Sequence, residues 1–144
     1  MSYEAELGKP FTEAIRQQRL VLPRCEQCGQ FHWYPLRLCP HCQADRIGWP
    51  DVAPHGVVYT FTTVRHPFSP GDKGRVPYNV ALIELPAAPG VRLISELIVR
   101  SGGAFQIGTP VSAVFDAAGK HPRVLFTPSD ASPDAEGRPV GDSP

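Results

Sequence analysis

The chain has 144 residues, with 14 Lys and Arg against 14 Asp and Glu. This length suggests one domain, or one domain with a small appendage, and the balanced charge excludes a global field that would draw the protein to nucleic acid or anionic lipid. No apolar run approaches the roughly 18–20 residues needed to cross a bilayer, so no membrane span is expected. The N-terminal "MSYEAELGKPF" has neither a basic start nor an apolar segment, which predicts a cytoplasmic protein without a secretory signal.

The first predicted element is a short helix in "KPFTEAIRQQRL". Phe11, Ala14 and Ile15 fall at helical spacing, and Pro10 suits a first helical turn. We expect the helix to run from about Pro10 to Arg19. The favoured interpretation is a helix that covers the next module, and the alternative is a helix that docks a partner.

All four cysteines follow in "RCEQCGQFHWYPLRLCPHCQ", as the pairs Cys25/Cys28 and Cys39/Cys42 with ten residues between them. Because thiols stay reduced in the cytoplasm, two Cys-x-x-Cys pairs indicate metal ligands rather than disulfides. Each pair sits in a tight turn that directs two sulfurs to one point, and four thiolates satisfy tetrahedral zinc. We predict one structural zinc ion per chain, and a rubredoxin-like iron site with the same ligands is the alternative.

Residues near the cysteines carry three further expectations. Gly29 supplies the permissive backbone that the first turn needs, whereas Gln43 stands where Gly would be easier, which predicts a slightly strained second turn. His32 and His41 are expected at the surface, because four sulfurs already fill the metal's coordination shell.

An aromatic segment, "FHWYP", lies between the cysteine pairs. The favoured interpretation is that Phe31, Trp33 and Tyr34 pack the ribbon onto its neighbours, because a zinc ribbon has almost no core of its own. The alternative is an exposed aromatic platform for a partner or for bases. The candidate partner interface therefore comprises Phe11, Ile15, Trp33 and Tyr34.

Residues 51–128 are rich in Val, Ile, Thr and aromatics, and no helical pattern separates most of their strand-like segments. One face of the first strand is expected to carry Val57, Tyr59, Phe61 and Thr63, with Val58, Thr60 and Val64 on the other. Five short strands predict a compact barrel. The five segments are "GVVYTFTTVRH", "YNVALIELP", "VRLISELIV", "PVSAVFD" and "PRVLFTP".

The remaining segments are irregular. "HPFSPGDKGRVPY", residues 66–78, predicts a long loop between the first two strands. The tail after residue 128 has no aromatic residue and cannot bury enough surface to become ordered. The predicted organisation is a helix at 1–20, a zinc ribbon at 21–50, a barrel at 51–128 and a disordered tail at 129–144.

The sequence offers no catalytic residues. Its four cysteines are assigned to metal, and it contains no Ser-centred elbow, no phosphate-cradling Gly loop of known spacing and no telling pair of carboxylates. We expect that the chain alone is not a complete enzyme, although a site lent to a partner remains open.

At this point the sequence resembles a known family, the zinc-ribbon plus OB-fold accessory proteins found with thiolases, thiolase-fold retro-aldolases and acyl-CoA hydratases. "RCEQCGQFHWYPLRLCPHCQ" resembles the family's ribbon and "HGVVYTFTTVRHPF" its first barrel strand. "VPYNVALIELPAAPGVRLISELI" is similar to the hairpin that follows, and "IGTPVSAVFD" to a late strand. Gln43 departs from the Gly usual after the last cysteine.

The resemblance implies a mainly β protein with an N-terminal helix, a rubredoxin-like zinc ribbon and a five-stranded OB barrel. It also implies a non-catalytic subunit in a hetero-oligomer such as α2β2, whose thiolase-like or aldolase partner holds the catalytic residues and the acyl-CoA. Arg65, Lys73 and Arg75, in and beside the long loop, are candidate contacts for CoA phosphates. The other interpretation of that segment, an ordinary solvated loop, is slightly favoured over CoA binding.

A nucleic-acid-binding module is the alternative function, since zinc ribbons and OB barrels both serve that role. The barrel region, residues 51–128, has seven Lys and Arg against five Asp and Glu. A net charge of +2 is weak for a groove that follows phosphates. The sequence leaves the acyl group, the partner and the stoichiometry open.

Overall fold

A computed structural model describes residues 6–100 and 103–129. The elements begin with helix α1 (Lys9–Arg16) and the short strands β1 (Arg24–Cys25) and β2 (Ile47–Gly48). Five longer strands follow, β3 (His55–Val64), β4 (Tyr78–Glu84), β5 (Arg92–Leu97), β6 (Pro110–Asp116) and β7 (Arg123–Pro128). The predicted mainly β fold is confirmed. Apart from Ser129, the tail expected to be disordered lies outside the described residues. No helix in the described ranges is long and apolar enough to span a membrane.

Strands β3 to β7 form a closed barrel in the order β3-β4-β5-β7-β6. Strand β6 returns to pair with β3, and every pairing is antiparallel except the short parallel contact between β5 and β7. This order is the Greek-key order of the OB-fold. The barrel closes through three residue pairs between β3 and β6 and one pair, Leu97 with Phe126, between β5 and β7.

Strand β3 departs from the predicted alternation of faces. Val58 pairs with Ile83, but the next pairing joins Thr60 to Leu82, so Tyr59 forms an irregularity in the register. A bulge of this kind moves the following residues to the opposite face. As a result Val58 is buried and Thr60 is exposed, although the sequence placed them on one face, and that prediction is wrong.

Helix α1 ends earlier than the predicted Arg19. Gln18 has a left-handed backbone with φ of 61°. The N–H of Gln18 donates to the carbonyl of Ile15 at 2.9 Å, and the N–H of Arg19 donates to that of Ala14 at 2.8 Å. These bonds form a Schellman-type C-cap, which the sequence conceals because Gln stands where Gly is usual.

The barrel core extends into the base of the ribbon. Leu20, Leu22 and Val52 are buried in the same cluster as the inward side chains of the barrel. The N–H of Val52 donates to the carbonyl of Leu20 at 2.8 Å, which ties the chain entering the ribbon to the chain leaving it. The two modules therefore share one hydrophobic core. Its barrel members include Val58, Ala81, Ile83, Leu93, Leu97, Val111 and Phe126.

Candidate functional site

The two Cys-x-x-Cys turns have nearly the same hydrogen bonds. Cys25 Sγ accepts bonds from the N–H groups of Gln27 at 3.3 Å and Cys28 at 3.4 Å. Cys39 Sγ accepts the matching bonds from His41 at 3.3 Å and Cys42 at 3.4 Å. The Cys28 N–H, together with that of Gln27, lowers the pKa of Cys25 to about 6. Such bonds favour the thiolate, which is the form that binds metal.

The residue after each pair has a left-handed backbone. The φ of Gly29 is 77° and that of Gln43 is 66°. Each residue's N–H donates to the carbonyl of the first cysteine of its pair, at 2.9 Å for Cys25 and 2.8 Å for Cys39. For a residue with a Cβ this conformation costs about 1–2 kcal/mol. The expectation of a strained second turn at Gln43 is confirmed.

The two turns bring all four sulfurs together. The Sγ atoms lie within 4.8 Å of one another, with Cys25 to Cys42 and Cys28 to Cys39 each at 3.6 Å. Zinc bonds of about 2.3 Å place tetrahedral sulfurs about 3.8 Å apart. The donor set therefore fits one ion, as predicted, and four thiolates leave no open coordination position for a substrate.

His32 was missed by sequence reasoning. Its side chain is 5% exposed, so the expectation of a surface histidine is wrong for it, whereas His41 is exposed as expected. Neither ring nitrogen of His32 has a hydrogen-bond partner among the described residues. Burial, with a smaller contribution from nearby His41, lowers the pKa of His32. Its backbone N–H donates to the Pro23 carbonyl at 3.1 Å, next to the bridge between Arg24 and Phe31.

The candidate partner residues fall into two groups. Phe11 and Trp33 lie 4.7 Å apart between ring centroids, and Trp33 and Tyr34 lie 5.2 Å apart. Phe11, Phe31 and Trp33 pack against the core, as the packing interpretation expects, while Tyr34 is 59% exposed. Ile15 is completely buried. Its assignment to a partner interface is therefore wrong, because its side chain is already covered within the chain.

The three candidate CoA contacts do not form one cluster. Arg75 bonds to Glu96 at 3.1 Å and to Asp72 at 3.5 Å, and it lies over the Tyr78 ring at 4.5 Å. Arg65 and Lys73 are exposed, and neither forms an ion pair within the described part of the chain. Of the three candidates, Arg75 is therefore the one whose charge is already paired within the described residues.

Two family models match successive parts of the chain. The rubredoxin-like zinc ribbon domain of ChsH2 matches residues 12–48, and the C-terminal OB-fold domain of ChsH2 matches residues 49–116. The ribbon match contains all four metal-binding cysteines.

One curated relative is a "Probable enoyl-CoA hydratase alpha subunit" of Thermomonospora curvata. It is 36% identical over 99 residues, which cover 69% of this chain and 30% of the relative. The chain thus spans under a third of that protein's length.

Two solved structures share the arrangement. A chain of the "Ltp2-ChsH2(DUF35) aldolase" aligns with a TM-score of 0.74 and 30% identity, over 89% of this chain and 96% of that one. A DUF35 protein of unknown function from Sulfolobus solfataricus aligns with a TM-score of 0.62 and 18% identity, over 89% of each chain, and shows the fold alone.

Both modules are matched in order, and the aldolase chain is matched over nearly its whole length. The chain therefore belongs to the ChsH2-type DUF35 family, whose members join a rubredoxin-like zinc ribbon to an OB-fold domain.

Proposed function

We propose that this chain is a non-catalytic subunit of a thiolase- or retro-aldolase-type enzyme that acts on an acyl-CoA thioester. The observation that carries the proposal is the likeness to a chain of the Ltp2–ChsH2 aldolase over 96% of that chain's length. The relative named as an enoyl-CoA hydratase alpha subunit supports the same class of substrate. The pathway is one of fatty acid, steroid side-chain or aromatic catabolism, and the cytoplasmic location stays a prediction.

The metal centre supports a structural rather than a catalytic role. Thioester chemistry needs a nucleophile, a general base and an oxyanion hole in one pocket. All four cysteines of the chain converge on one ion and are not available as nucleophiles. Under the proposal the partner supplies the catalytic groups, and this chain stabilises the partner's fold and helps shape its CoA channel.

Arg65 and Lys73 are proposed to meet the CoA phosphates in the assembled enzyme. Both are exposed on or beside the loop between β3 and β4. Replacing both by Ala should raise the KM for acyl-CoA several-fold while assembly stays intact, because charge-assisted bonds to phosphate are lost. Lys120→Ala, an exposed lysine of the β6–β7 turn, is the matched control. An unchanged KM in the double variant returns the loop to an ordinary solvated segment.

Co-purification at native expression levels tests the assembly. A tagged copy of this chain should elute with a thiolase-fold or hydratase subunit at a fixed ratio, for which α2β2 is the expected stoichiometry. Elution of the tagged chain without any such subunit, or with nucleic acid instead, contradicts the proposal.

A further inference from the structure

An apolar surface covers the outer side of β3, β4 and β5. We name it the barrel face and define it by Thr60, Thr62, Val80, Leu82 and Ile94, which together line a shallow groove with Phe61 and Ala81. Thr60 pairs across the sheet with Leu82 and Leu82 with Ile94, and Thr62 pairs with Val80. Directly paired residues point to the same side of a sheet. The face is therefore one contiguous surface.

The barrel face points away from the core. Ile94 is 62% exposed, whereas its chain neighbours Leu93 and Ser95 are buried, as the alternation of a strand requires. Isolated exposed apolar residues are ordinary, but a contiguous apolar groove on a folded surface indicates a contact site.

The barrel face continues into the aromatic cluster of Phe11, Trp33 and Tyr34. Ile94 lines both the groove of the barrel face and a neighbouring groove formed by those three rings with Val124 and with Arg123, whose charge is paired with Glu96 and Asp116. The ribbon and the barrel thus present one apolar surface that crosses the junction between them.

Charges at the border of this surface are neutralised within the chain. Strands β4 and β5 carry three charged residues, of which Glu84 pairs with Arg92 at 3.5 Å. Glu96 pairs with Arg75 at 3.1 Å and with Arg123 at 3.7 Å. The surface therefore has an apolar centre and a polar rim whose charges are already paired. Such a surface complements an uncharged protein surface. It lacks the unpaired positive charges that bind a phosphate backbone.

We infer that the barrel face, together with the aromatic cluster, is the surface that the catalytic subunit covers. The inference rests on the proposed function and adds to it the place of contact. The occupant is an uncharged apolar patch of the enzyme subunit. The charged residues of β4 and β5 are already paired within the chain, so a partner needs no opposite charge to bind there. The contact is made by side chains, since Thr60, Leu82 and Ile94 form one row across three paired strands and point outward from the sheet.

The test compares two isoleucines of equal exposure in the full chain, co-expressed with its enzyme subunit. Ile94 lies at the centre of the surface, while Ile107, 63% exposed, lines neither groove. Ile94→Asp should weaken the complex by at least about tenfold, because it places an unpaired charge in a desolvated contact. Ile107→Asp should bind as the unaltered chain does. Thr60→Lys, in the same row as Ile94, should repeat the loss, and metal content and Tm show that each variant is folded.

Each result separates the inference from the proposed function. If folded Ile94→Asp and Thr60→Lys variants bind the enzyme subunit as tightly as the unaltered chain, the barrel face is not the contact, although the accessory role stands. If the unaltered chain binds no such subunit, the proposed function itself fails. If sedimentation shows a homodimer that Ile94→Asp dissociates, a second copy of this chain occupies the face and the inference is overturned.

Discussion

The ribbon and the barrel are stabilised by different means. The ribbon has one pair of two-residue strands, and its most buried residues include two of the metal ligands, Cys25 and Cys39. The barrel has five strands with long ladders between β3 and β4, β4 and β5, and β6 and β7, and a core of aliphatic residues around Phe126. Metal coordination is the main source of folding stability in the ribbon, whereas burial of apolar side chains is the main source in the barrel.

This contrast predicts how much stability a substitution should remove in each region. Removing one sulfur eliminates the ribbon's main source of stability, whereas removing one core side chain takes only a part of the barrel's. The two regions are nevertheless coupled, because Leu20 and Leu22 belong to the shared core.

The largest effect is expected for Cys39→Ala. Structural zinc in small modules contributes about 10–16 kcal/mol of apparent binding energy, which for such modules is also folding energy. We expect the metal content to fall from one ion per chain to nearly none, and amide exchange to become fast at β1 and β2 while the barrel amides stay protected. Retention of one metal ion per chain with native ribbon protection would contradict this role.

Phe126→Ala is the complementary change in the barrel. Phe126 is completely buried in the core, and truncations of this kind cost about 3–5 kcal/mol because they leave a cavity. Denaturant unfolding of the barrel should show this loss, while metal analysis of the still-folded fraction should give one ion per chain. A variant that loses its metal at native Tm would show that the contrast between the regions is wrong.

The pH dependence of the ribbon's stability should include a contribution from protonation of His32. Its folded-state pKa lies below the usual value of 6.5 because of burial, so the unfolded chain binds the proton more tightly than the folded one. The His32 contribution to stability should be constant above about pH 6.5 and should fall as the pH drops below it, by at most about 1.4 kcal/mol per pH unit. Protons also compete with the metal for the four thiolates, and that contribution is common to the unaltered chain and a His32 variant. His32→Leu should remove the His32 contribution and so make the curve shallower in this window.

The control for this measurement is His41→Leu, at an exposed position. It should leave the pH dependence unchanged when unfolding is followed in excess zinc. Equal curves for the unaltered chain and the His32→Leu variant would mean that the buried ring does not contribute.

The smallest effect separates the two cysteine turns. Gln43→Gly should stabilise the metal-bound ribbon by about 1 kcal/mol, because it relieves a left-handed conformation at a residue with a Cβ. Gly29→Ala should destabilise the equivalent turn by a similar amount, since its φ is 77°. Competition with a chelator measures both. The metal affinity should rise for Gln43→Gly and fall for Gly29→Ala. A change in the same direction for both variants would show that the two turns are not equivalent.

Local chemistry made much of this molecule predictable. The spacing of four cysteines specifies a metal site, and β-branched segments between Pro and Gly clusters specify five strands. The strained turn at Gln43 was also predictable, because the position after such a pair needs a left-handed backbone. Strand β6 was predicted at its observed bounds, Pro110–Asp116.

The errors arose where long-range packing decides the outcome. The bulge at Tyr59 depends on its pairing with β4, and the burial of Ile15 depends on what covers helix α1. The burial of His32 depends on what packs over its side chain, and the barrel face was visible only once three strands were aligned. No window along the chain carries these signals.

Reconstitution of turnover tests the accessory role most directly. The catalytic subunit, this chain and their mixture are each given an acyl-CoA substrate under identical conditions. We predict no turnover by this chain, weak turnover or poor solubility for the catalytic subunit alone, and full activity at a fixed ratio of the two. Turnover by this chain alone, or a catalytic subunit that reaches its full rate without it, would contradict the account.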